Sequence, residues 1–174
     1  RSSDRKRINF CLILHNTLHV ADERWPHERD RIIALLNEPG YQTVLSGRPL
    51  VYAFTGQSFP LGRFSDLMAA AREAGLAPYY VYMGWNPASD YRKVARWGFD
   101  AVSAYAMGSD QATFPQLAEK VEQDYWQKAA TGKIPYVTFA TTGWDKRPRK
   151  DNPVPWERNH GYHCRRRERK SLYA

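Results

Sequence analysis

The chain holds only two cysteines in 174 residues, too few for a disulfide framework, and Cys11 lies in an apolar run where a small buried thiol is the ordinary expectation. No stretch of about 18 apolar residues is present, which excludes a transmembrane helix, and no apolar signal core follows the basic start. No strand-like run opens onto a Gly-rich phosphate-binding loop of the kind an open nucleotide-binding sheet carries. Charge is also scarce where it would matter. The net charge is +8, but residues 1–7 contribute +3 and residues 165–170 contribute +4, leaving about +1 for everything between. A basic binding surface within the fold is therefore not indicated, and nucleic acid is not an expected partner. Nor is the chain poor in core-forming residues: 43% hydrophobic content with 14% aromatics argues for a globular fold and against disorder.

What is present is an alternation. Residues 8–14 (INFCLIL), 48–55 (RPLVYAFT), 77–84 (APYYVYMG), 99–106 (FDAVSAYA) and 134–141 (IPYVTFAT) have the length and the β-branched or aromatic content of strands. Between them, residues 28–36, 64–74, 87–97 and 114–130 read as helices, most of them closed by a glycine at the C-terminal side. Five such strand–helix units through short Gly-marked turns imply an α/β fold with a parallel sheet. The favoured architecture is part of a (β/α)8 TIM-barrel-like fold, because every strand ends in polar or aromatic residues, as a ring of loops around one site requires. Residues 8–163 form this barrel-like domain, with basic tails at 1–7 and 164–174. A full barrel takes about 250 residues, so the expectation is an incomplete one.

The strand ends supply the candidate site. Residues 134–149 are the sharpest case: a strand-like run breaks at Thr141, Thr142 and Gly143 and delivers Trp144, Asp145, Arg147 and Arg149 past its carboxyl end. The other ends deliver His15, Asn16, Asp22 and Glu23; Gln57; Trp85 and Asn86; and Tyr105. Indole and phenol faces, amides and carboxyls together suit a polyhydroxylated ligand, since sugar rings stack on aromatics while hydroxyls need donors and acceptors. Glycoside hydrolysis uses two carboxyl groups across the bond. Asp145 with Glu23 or Asp22 is the pair on offer, with the remaining residues as substrate contacts. His15 and His19 have a metal-ligand spacing only on a helix, and the strand-like run before them argues against one, so no metal site is expected. Asp100 opens its strand and belongs to the stability end, as a cap or turn. Tyr79, Tyr80 and Tyr82 read as sheet packing, and Trp97 and Trp126 as helix contacts.

The order FCLILHN, NEPGYQTVLSGRPLVYAF, GFDAVSAYAMG and IPYVTFATTGWDKRPR resembles glycoside hydrolase family 99 and the family 99-like domains of bacterial polysaccharide gene clusters. The likeness runs over most of residues 8–149, and is most specific at Tyr41, Val44, Gly47, Arg48 and Pro49 and over residues 143–149. It implies a (β/α)8 barrel acting on mannose-type or related glycans at the carboxyl ends of its strands, with no redox cofactor and in an extracytoplasmic or cell-envelope setting. One position departs from the family pattern: Thr17 stands where members place a Glu after the first strand. The resemblance therefore implies either hydrolysis with a carboxylate from elsewhere, such as Asp22 or Glu23, or a noncatalytic carbohydrate-binding domain of the same fold. Oligomeric state is not legible in the sequence.

Overall fold

The computed structural model describes residues 8–54, 58–108, 113–141, 151–152 and 154. Among the described residues the α-helices and strands run β1 (Leu12–Leu14), α1 (Trp25–Leu36), β2 (Thr43–Val44), β3 (Arg48–Ala53), α2 (Leu61–Glu73), β4 (Tyr79–Gly84), α3 (Pro87–Val94), β5 (Ala101–Ala104), α4 (Phe114–Val121) and α5 (Gln127–Thr131). β1, β3, β4 and β5 are parallel and lie in sequence order, while the two-residue β2 pairs antiparallel with the start of β3. The mixed α/β reading with a parallel sheet is therefore correct.

Strand periodicity sorts the side chains. Leu14, Val51, Ala53, Tyr80 and Val102 project to one face, where they meet Ile32 and Leu36 of α1, Phe64 and Leu67 of α2, and Val94 of α3. The opposite face gathers Leu50, Val81 and Ala101 with Cys11, Tyr52, Tyr79 and Val137, and none of the described helices contributes to it. This helix-free face is the one that leads up to the candidate site.

Two boundaries differ from the sequence expectation. The first strand is shorter than residues 8–14, because Phe10 exchanges partners: its N–H donates to Gly40 O and its carbonyl accepts from Gln42 N, at 3.1 and 2.7 Å. The expected fifth strand, residues 134–141, is reduced to a single parallel bridge between Val102 and Tyr136. Val102 N–H donates to Pro135 O (3.0 Å), Val137 N–H donates to Val102 O (2.9 Å), and the Ser103 hydroxyl donates to Val137 O (2.9 Å). Pro135 has no N–H to extend the ladder, and Lys133, two residues earlier, takes a positive φ of 52°, so the chain arrives by a turn rather than in extended register. The hairpin joining β2 to β3 was not anticipated. Leu45, Ser46 and Gly47 turn it with three successive positive φ values of 42°, 66° and 96°, a conformation that glycine adopts without penalty and leucine does not.

Tyr41 closes the gap that this exchange leaves between β1 and β3. Its hydroxyl accepts from Leu12 N–H (3.0 Å) and donates to Leu50 O (2.8 Å), replacing backbone partners that neither strand finds in the other. Burial pushes its pKa up to about 12, against the lowering pull of the Leu12 N–H. Because this folded value lies above the roughly 10 of an unfolded tyrosine, its contribution is complete below pH 10 and is lost as pH rises toward 12. Tyr41→Phe is expected to lower stability by about 1–2 kcal/mol at neutral pH and to flatten the alkaline fall in stability. Urea titrations at pH 7, 9.5 and 11 check both; equal slopes for mutant and wild type between the last two would reject the pH assignment.

Candidate functional site

Four residues follow the strands in the parity of the helix-free face: His15 after Ile13, Phe54 after Tyr52, Trp85 after Met83, and Tyr105 after Ser103. Their rings converge. The Phe54 ring is stacked on Tyr105 at 4.6 Å between centroids and 16° between planes, and on His15 at 5.2 Å and 28°. Trp85 meets Phe54 edge-on at 6.3 Å. Phe54 is half-buried beneath its neighbours, whereas Trp85 and Tyr105 keep 61% and 50% of their surface in solvent. An exposed cluster of large rings at one end of a parallel sheet is unusual for a surface with no ligand, because such rings are normally buried or spread singly. Below it, on the same face, a cavity of about 250 Å³ is lined by Ile13, Tyr52, Met83, Ser103, Tyr105 and Phe139 among others. Cys11 also lines it, and burial raises its thiol pKa, which favours the protonated thiol.

Sequence reasoning thus named three of these four rings and missed the one that joins them. Phe54 is the last apolar residue of residues 48–55, and continuing the alternation Leu50, Tyr52, Phe54 would have placed it on the site face.

Trp85 is carried on a tight strand-to-helix corner. The Asp90 carboxylate accepts from Trp85 N–H and Asn86 N–H, both at 2.8 Å, and the Asn86 side chain accepts from Ser89 N–H at 3.1 Å as the N-cap of α3. Asn86 is exposed, but its side-chain oxygen already serves the helix, leaving its amide nitrogen and one oxygen lone pair for a ligand.

Of the two carboxylates on the loop after β1, Asp22 faces a different neighbourhood. Asp22 is ion-paired to Arg63 of α2, whose guanidinium also donates to the carbonyls of Leu18 and Val20 and lies over the Trp25 ring at 5.4 Å. The Asp22 carboxylate is otherwise almost wholly in solvent, so the pair is a weak tie between that loop and α2. Glu23 is exposed on the same short 3₁₀ turn and has no side-chain partner among the described residues. Asn16 is exposed at the start of the 3₁₀ turn Asn16–His19, with His15 immediately before it. Among the described residues no group of three or more His, Cys, Asp or Glu could hold a metal ion. Gln57, Trp144, Asp145, Arg147 and Arg149 lie outside the described residues; Thr141, just before them, donates its hydroxyl to Met107 O beyond the end of β5 at 3.0 Å. No described helix is long and apolar enough to cross a membrane.

Comparison of the chain with protein-family models, with curated proteins and with solved structures finds no match.

Proposed function

We propose that the chain handles carbohydrate, with the rings of Phe54, Trp85 and Tyr105 receiving the apolar face of a sugar and His15, Asn16 and Asn86 meeting its hydroxyls. The observation that carries this reading is the solvent-exposed ring cluster at the carboxyl ends of four neighbouring parallel strands. Flat apolar faces beside amide and imidazole donors match the two-sided chemistry of a pyranose. The strand order supports the finer architecture as well: parallel strands in unbroken sequence order, with α1 to α3 packed on one face, are what a segment of a (β/α)8 barrel requires, and the ring cluster then sits at the catalytic rim.

On this reading the protein is a glycan-processing enzyme of the glycoside hydrolase type acting on mannose-type or related polysaccharides, in line with its resemblance to family 99. Glu23 and Asp145 are the carboxylates for that chemistry, since Asp22 is turned toward Arg63 of α2. A noncatalytic binding domain is the second reading. It is favoured by the same Asp22–Arg63 pair and by Thr17 standing in place of an acid.

Calorimetry with mannotetraose tests the ligand class. Trp85→Ala is expected to weaken binding about tenfold, the loss of one stacking surface, with the melting temperature nearly unchanged because the indole is largely in solvent. An affinity equal to wild type would remove Trp85 from the site. Reducing-end release from mannan then separates the two readings: turnover abolished by Glu23→Gln or Asp145→Asn supports the hydrolase, and binding without any product from wild type supports the binding domain.

A further inference from the structure

The corner that carries Trp85 is built more tightly than helix capping requires. An ordinary capping box has one side chain near the third helical position reaching back to the N–H of the cap residue. Here Asp90, the fourth residue of α3, reaches back past the cap, and a single oxygen, Oδ2, accepts both Asn86 N–H and Trp85 N–H at 2.8 Å. That oxygen lies directly against Gly84. A Cβ built at Gly84 would fall 2.6 Å from Asp90 Cγ and 2.9 Å from Tyr82 Cε1, distances that side chains do not tolerate. Gly84 is buried and is the last residue of β4, so the absence of a side chain there is what lets the carboxylate enter. Pro87, fully buried at the first turn of α3, fixes the next step of the chain. The result is a main chain held on both sides of the Trp85 Cα, under a side chain that is itself mostly in solvent and meets Phe54 edge-on.

We propose that Asp90 is a positioning residue for the ring cluster: through the Trp85 N–H, and by way of the space left at Gly84, it fixes the direction in which the Trp85 indole stands beside Phe54. An exposed indole has two free torsions and little packing to choose between rotamers, so its aim depends on how firmly its backbone is held. A preorganised indole spares the ordering entropy that a swinging one would lose on binding a ligand. The buried phenol of Tyr125 feels the same carboxylate: burial first, and the Asp90 charge second, raise its pKa.

This inference rests on the carbohydrate reading only for the identity of the ligand, and its test has two arms. In 5-fluorotryptophan-labelled protein, the Trp85 resonance is identified by its loss in Trp85→Phe. Asp90→Ala is expected to shift and broaden that resonance while leaving the other tryptophan signals of the body in place, and to weaken mannotetraose binding about tenfold. Asp90→Asn, which keeps the shape and a weaker acceptor oxygen, is expected to move the signal in the same direction by less, and it decides the matter if the alanine variant does not fold. Thr113→Ala, which removes the capping box of α4, supplies a stability-matched control in which the Trp85 signal and the affinity stay as in wild type. A Trp85 resonance unchanged in both Asp90 variants overturns the proposal whatever the sugar result. If the resonance moves as expected but wild type binds no mannotetraose, the positioning role stands and the carbohydrate reading falls.

Discussion

Phe64→Ala is expected to lower the unfolding free energy by about 3–5 kcal/mol, a large share of the roughly 5–15 kcal/mol that holds a domain of this size together. Phe64 stands on α2 with no exposed surface, and it is the point where the helix layer meets the sheet. Its ring is stacked on Phe99 at 4.5 Å and 4°, and makes edge contacts with Tyr80 at 5.0 Å and Phe59 at 5.2 Å. Removing it takes away the partner of three other rings at once. Those rings cannot close the void freely, because Phe59 is also stacked on Trp97 at 5.4 Å and Tyr80 belongs to β4. Phe64→Leu should recover more than half of the loss by refilling most of the volume. Guanidinium titrations of both variants check this, and a loss below 1.5 kcal/mol for the alanine variant would show that the aromatic cluster repacks.

Much of this arrangement was legible because its signals are local. The run YYVYMG alternates between faces, and Tyr80 and Tyr82 do pack on the helix side, as their reading as sheet residues required. The helix over residues 87–97 was legible from its proline start and glycine stop, although only Pro87–Val94 is α-helical and the last turn tightens to 3₁₀ before Gly98, which has φ 94°. Trp97 and Trp126 have the packing roles their positions suggested, against Phe59 and Phe139 respectively.

What was not legible depended on partners far away in sequence. Residues 134–141 look like a strand by composition, yet a strand exists only where a neighbour supplies a ladder, and Val102 supplies one bridge. The partner exchange at Phe10, by which β1 loses its first residues to Tyr41, follows from the turn at Gly40 and has no mark in the run INFCLIL itself. For the ring cluster, residue type at strand ends named His15, Trp85 and Tyr105, but type alone could not separate Asp22 from Glu23. Their difference is made by Arg63, 41 residues away from Asp22. Nor could it reveal that Asn86 spends its carbonyl on Ser89.

The opposite end of the sheet supports the other large prediction. Asp100→Ala is expected to lower stability by about 2–3 kcal/mol while leaving the ring cluster intact. The Asp100 carboxylate accepts from Tyr80 N–H at 2.9 Å and from the Arg48 guanidinium at 2.9 Å, and Arg48 in turn donates to the carbonyls of Ala77 and Pro78 at 2.9 and 2.7 Å. Arg48 also lies over the Tyr79 ring at 5.0 Å. One ion pair thus joins the entry to β5, the start of β3 and the turn before β4, so the sequence expectation of a cap or turn at Asp100 understates its reach. Both side chains are at least two-thirds buried, which makes their attraction stronger than that of a surface pair and makes loss of one partner costly to the other. Asp100→Asn keeps an acceptor for Tyr80 N–H and should lose about half as much. A double-mutant cycle with Arg48→Met, measured by urea unfolding, is expected to give a coupling of about 1–2 kcal/mol, and a value near zero would mean that each residue acts through its backbone contacts alone. Hydrogen exchange sharpens the test: the Tyr80 amide should lose protection in Asp100→Ala. At temperatures where the variant is folded, the fluorine signal of Trp85 should remain where it is in wild type, because Trp85 is held from Asp90 and not from this end of the sheet.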